Sequence, residues 1–435
     1  MKKLATFMFL VISGLMTFDR LMVPVLAQSD HNQPPIQYSD SEPEDRVAKL
    51  IQLLDSKKTT ITWDEDRGWL PSLLKELEVN TSSQTLVFSK TSQQHQKIDP
   101  TNPRAIYFND DVYVGFVPRG DFLEIAAVDP VQGAVFYTLD QKKSANAVIK
   151  PASSICLSCH ETHRTQDVPG FLIRSVYPKS SGHPEFRFGS DSTDHRTNIV
   201  DRFGGWYVTG QHGSMRHRGN VFVDAAANNQ DAALDRESGA NQKQLPFRVK
   251  TKNYLEPNSD IVALMIMEHQ VQFHNFVTQA SYETRIALHQ QTEMNRILDE
   301  PEDYRSESTK RRIASVANEL VEYLLFKDEF QLSSPVSGTT AFQDDFQASA
   351  IRDSKGRSLR DLDLQTRLLK YPCSYLIYSE SFQRLPQPVK SIVISKIKSV
   401  LSGDDTSEAF QHLSKGDRTS ILEILEETHP LFGKR

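Results

Sequence analysis

The chain has 435 residues, 38% of them hydrophobic and 24% charged, with a formal net charge of −6. That length exceeds one ordinary core, and the composition is that of a soluble globular protein of about two or three domains. The charge is mild and no Lys- and Arg-rich run is interleaved with aromatics, which argues against a nucleic-acid partner.

Lys2 and Lys3 precede an apolar run over residues 4–18, and Val25-Leu26-Ala27 offers a small residue for cleavage. Residues 1–27 therefore read as an export signal. Asp19 and Arg20 end the run too soon for a comfortable membrane span, and no later segment is apolar for long enough. The expectation is a periplasmic or otherwise exported protein with no stable membrane span after cleavage.

Residues 28–44 are polar and contain prolines, as a leader would. Val47, Leu50, Ile51 and Leu54 recur at helical spacing and predict a helix over residues 44–54; a second is expected over 70–77. β-branched and aromatic runs at 85–89, 105–108, 112–116, 123–128 and 133–139 are separated by turn signals such as Asn109-Asp110 and Asp129-Pro130. Short strands with short links predict an antiparallel sheet. Residues 151–250 are mixed, with a strand expected over 204–209 and a polar loop over 228–244. From Ser259 the pattern turns helical, with one long helix over 261–298 capped by Ser259 or Asp260, and others near 310–326, 389–401 and 415–427. Residues 342–362 are ambiguous. The expected fold class is α+β: an antiparallel sheet-rich N-terminal part over 28–150, a haem-binding region over 151–300 and a helical part over 301–435.

The haem assignment comes from Cys156-Leu157-Ser158-Cys159-His160. Two cysteines three apart on a helical turn project to one side. Both thiols can then add to the two vinyl groups of one haem, with the next residue, His160, placed as an axial iron ligand; this is the c-type attachment motif. The cofactor expected is one covalent haem c with its iron. A thioredoxin-like pair would normally open a helix in a βαβ unit, which the preceding strands do not form. A zinc site needs further ligands nearby. A disulfide so short closes almost no loop. The third cysteine, Cys373, lies in an aromatic stretch and reads as a buried thiol.

Function then turns on the sixth iron position: a second strong ligand makes an electron carrier, an open face a catalyst or sensor. His269 is the first candidate, on a helical face shared with Val262, Met265, Ile266, Phe273 and Phe276. His212 is the alternative, in a glycine-containing stretch with Met215 and His217. Met215, Met265 and Met267 are possible thioether ligands, and Arg196 a possible propionate partner.

Several blocks resemble one family. They are residues 87–92 and 106–115, the haem motif with Val168-Pro169-Gly170 after it, then 204–210, 259–265 with Glu268-His269-Gln270, and 371–379. In these the chain is similar to a group of exported bacterial proteins with a single cytochrome c haem motif. The resemblance implies haem binding and electron transfer with a protein redox partner, and it supports His269 and His212 as ligand candidates. The alternative is a haem enzyme or sensor with an open iron face, acting on peroxide or nitrogen oxides.

Overall fold

The structure is a computed structural model that describes residues 30–224, 226–230 and 232–433; the signal expected over 1–27 lies outside them. Two helices come first, α1 (Arg46–Asp55) and α2 (Leu70–Glu76). The strands are β1 (Thr85–Val87), β2 (Arg104–Phe108), β3 (Val112–Phe116), β4 (Phe122–Asp129), β5 (Gly133–Asp140) and β6 (Ile149–Pro151). Helix α3 (Ser153–His160) follows, then β7 (Arg174–Val176), β8 (Ser190–Ser192) and β9 (Trp206–Tyr207). The remainder is helical: α4 (Ile261–Leu298), α5 (Glu307–Leu324), α6 (Phe342–Ala348), α7 (Glu380–Gln383), α8 (Gln387–Ser402) and α9 (Lys415–Thr428). The class is α+β, with the antiparallel sheet in the N-terminal part and the helices in the C-terminal part.

The sheet runs β6-β5-β4-β3-β2-β1-β9, and its paired strands are antiparallel. Period-two alternation sorts the side chains onto two faces. Leu86, Ala105, Tyr107, Val114, Leu123, Ile125, Val135 and Tyr137 build one core with α1 and α2. The other face gives Val87, Phe108, Tyr113, Phe136 and Trp206 to the main core beneath α4. The β4–β5 hairpin turns where the Asp129 carboxylate accepts from the Val131 and Gln132 N–H groups and Gly133 takes a φ of +79°.

Helix α4 is the axle of the molecule. Its first half is buried on every side, so it lies inside the core and not on a surface. Asp260 caps it, accepting from Val262 and Ala263 N–H with one carboxylate oxygen and from Thr339 and Thr340 N–H with the other. α5 packs along α4, and α8 and α9 follow. Among the described residues no helix is long and apolar enough to cross a membrane.

Of the ambiguous residues 342–362 only Phe342–Ala348 is helical, and the chain beyond turns on Asp353 and Gly356. The expected cuts at 150/151 and 300/301 do not separate independent cores. β9 completes the sheet begun by β1, and α5 packs on α4 across the second cut.

Candidate haem-attachment site

The chain leaves the sheet at β6, and the Ala152 N–H donates to the Phe136 carbonyl at 2.8 Å, which starts α3 on the sheet's inner face. Cys156 and Cys159 stand one turn apart on this helix as free thiols, the first half-buried and the second exposed. No residue of α3 is buried, and Ile155 is 64% exposed. An isolated helix of this length is marginal in water, and helices in folded proteins are held by an apolar face against a core. In α3, Cys156 and Leu157 only fringe the core.

His160 ends the helix with its ring 4.8 Å from that of Phe136. Its Nδ1 lies 3.0 Å from the Gly170 carbonyl, and the Gly170 N–H donates back to the His160 carbonyl at 2.8 Å. A carbonyl can only accept, so Nδ1 carries the proton and Nε2 keeps its lone pair for a metal. Desolvation of the half-buried ring lowers its pKa below the ordinary histidine value, against the opposing pull of the Gly170 bond, and so favours the neutral form, the one that ligates.

Gly170 is fixed in turn by α4. Asn275 accepts from the Phe171 N–H at 2.8 Å and donates to the Phe171 carbonyl at 2.9 Å. A Cβ at position 170 would lie 2.4 Å from the Asn275 Oδ1, so only glycine passes there.

On the sheet's inner face the end beside α3 is incompletely covered. Arg104, Ile106, Glu124 and Ala126 are all partly exposed, whereas their neighbours on the other face are buried. Arg104 and Glu124 form an ion pair there. Burial works against the Glu124 charge, but Arg104 and the hydrogen bonds of Ser92 and Gln94 outweigh it and hold the carboxyl below its ordinary range. On the far side, Arg164 and Arg174 both donate to the Ser190 hydroxyl.

This donor set suits a covalent haem: two accessible thiols, one neutral imidazole with a free nitrogen, and two guanidinium groups for propionates. It suits the alternatives less well. Burial, then the Glu124 charge, pushes the Cys156 thiol up to about 11, the opposite of a redox-active thiol. Among the described residues no group of three or more His, Cys, Asp or Glu side chains could hold a metal ion together, so the pair lacks the partners of a zinc site.

The candidates for the other iron face lie elsewhere. His269 is fully buried, its Nδ1 2.8 Å from Nδ1 of His195 and its Nε2 2.8 Å from the Ser374 hydroxyl. It stacks on Tyr323 and Phe326. The helical face that carries it looks into the helical core. His212 is also committed: Nδ1 donates to the Met215 carbonyl and Nε2 accepts from the Asn241 N–H, both at 2.9 Å, locking a loop. His217 packs on His212 at 4.7 Å. Met215, Met265 and Met267 are buried in the main core. Arg196 is spent on the Asp194 carboxylate, over the Tyr323 ring. Cys373 is buried, as expected, and burial raises its pKa.

Sequence reasoning passed over Arg104, Glu124 and Asn275. The first two sit on different strands, and only pairing brings them together. Asn275 gave no signal either, since its helical neighbours Gln272, Thr278 and Gln279 are polar too. Comparison of the chain with protein-family models, curated proteins and solved structures gives no match.

Proposed function

We propose that the chain is an exported monohaem c-type cytochrome, with haem attached through Cys156 and Cys159 and His160 as the iron ligand. The observation that carries this reading is α3: a helix that exposes Cys159 and Ile155, leaves Cys156 half-buried and buries none of its own residues. A porphyrin bonded to it would supply the missing apolar partner. Bound haem supplies reversible one-electron chemistry and a coordination position for small molecules. The Gly170 carbonyl and Asn275 keep the imidazole oriented, and the exposed Cys159 edge leaves room for electron exchange with a protein redox partner.

A second reading, an iron face open to small molecules, is favoured over a carrier with two protein ligands. The positions of His269 and His212, each with both ring nitrogens hydrogen-bonded, support it.

Export from a host competent in cytochrome c maturation tests both. The mature protein should gain the mass of one haem and absorb in the Soret region, and Cys156→Ala with Cys159→Ala should lose both. A reduced protein that binds carbon monoxide rapidly has the open face; one that ignores it has a second protein ligand. Full-length secreted protein with no haem would end the proposal.

A further inference from the structure

The Arg104–Glu124 pair is not explained by folding. Gly115 on β3 stands between Ile106 of β2 and Glu124 of β4. A Cβ there would lie 3.3 Å from the Glu124 Cβ and 3.5 Å from the Arg104 Cδ. The glycine thus lets an ion pair lie across an inner strand, linking side chains from the strands on either side. Both partners are largely enclosed, at 18% and 21% exposure, where desolvation offsets much of the Coulombic gain. An apolar pair would cover the sheet at least as well.

The pair is tied to the thiols. Ser92 donates to the Glu124 carboxylate at 2.7 Å, and its neighbour Gln93 donates to the Cys156 sulfur at 3.6 Å. Phe136, which packs on His160, is the cross-strand partner of Ala126, two residues along the same face from Glu124. The Arg104 Nε is buried with no hydrogen-bond partner. One edge of the guanidinium is held by Glu124, and a donor is left over on the sheet face that carries Phe136, against which His160 packs.

We propose that Arg104, its charge tempered by Glu124, selects the ligand taken at the open side of the iron, and that this ligand is a small anion of the size of azide or nitrite. The inference rests on haem attachment through Cys156 and Cys159. A guanidinium with a spare donor gives an anion a charge-assisted hydrogen bond, which a neutral ligand does not gain. Glu124 competes with the ligand for that charge and so tempers the attraction.

The test titrates ferric holoprotein with azide and with neutral imidazole, following the Soret band. Arg104→Leu should weaken azide binding by at least about tenfold and shift imidazole binding by less than about twofold. Arg104→Lys should restore part of the azide affinity. Glu124→Gln should tighten azide binding, since the guanidinium loses its competing carboxylate. A haem-loaded Arg104→Leu protein that changes both affinities alike, or neither, overturns the proposal. So does wild-type holoprotein that binds no azide because a second side chain already ligates the iron. If Arg104→Leu loads no haem, Glu124→Gln decides: tighter azide supports the proposal, and unchanged or weaker azide overturns it. Absence of haem from the wild-type protein would instead refute the attachment itself, and the mass spectrum shows that before any ligand is added.

Discussion

The carbonyl of Gly170 decides which nitrogen of His160 is free, and Asn275 decides where that carbonyl stands. Gly170→Ala would press a methyl group against Asn275 at 2.4 Å. It should cost about 2–4 kcal/mol, because the turn moves and the Phe171 N–H and C=O lose their partner together. Denaturant unfolding checks the loss, and the haem spectrum checks the ligand's orientation. His269 is the contrasting residue. It lies in a closed network with His195 and Ser374, so His269→Ala should leave the haem spectrum unchanged while lowering stability by about 2–4 kcal/mol through a cavity and unpaired polar groups. Loss of a low-spin spectrum on this substitution would return His269 to the iron.

Two helices behave oppositely at the scale of the element. α4 is stabilised from every side, and its cap carries more than a cap normally does. Asp260 joins the helix start to Thr339 and Thr340, so Asp260→Ala should cost about 2–4 kcal/mol, above the ~1 kcal/mol of an ordinary N-cap. A loss no larger than that of an ordinary cap would show that the second pair of bonds contributes little. α3 has no such support. Hydrogen exchange at residues 153–160 should be fast in the Cys156→Ala, Cys159→Ala protein and slowed in the haem-loaded chain, because local opening tracks the apolar contacts that resist it. Equal protection in both forms would mean that α3 is held by the chain alone.

Across the whole molecule, burial sets the response to acid. It lowers His217 and His269 to about 3 and His274 to about 4, with His195 also well below the ordinary value of 6.5. Each binds its proton more tightly unfolded than folded, so stability falls as the pH drops below 6.5. Glu268 and Glu329 are raised by burial to about 7 and Asp111 to about 6, and these act in the opposite direction, favouring the folded state as the pH falls from 7 towards 4.5. The four histidines outweigh these three carboxyls. The melting temperature of the full chain should therefore fall on acidification from about pH 6.5 to pH 4.5; a rise over that interval would show that the carboxyls dominate.

Local pattern was enough for much of this protein. Strands β2 to β5 follow from β-branched and aromatic runs between turn residues, and α4 from its helical pattern with a cap at Ser259 or Asp260. The Cys156–His160 spacing is chemistry written within a single turn. These are short-range properties, carried by neighbours in sequence. The tertiary structure decided everything that depends on distant partners: that His269 meets His195 and Ser374, that a carbonyl ten residues beyond the motif sets the tautomer of His160, and that Arg104 meets Glu124 over Gly115. An apolar helical face says that a histidine is buried, but only packing says against what, because the direction in which a helix presents that face is set by the rest of the fold.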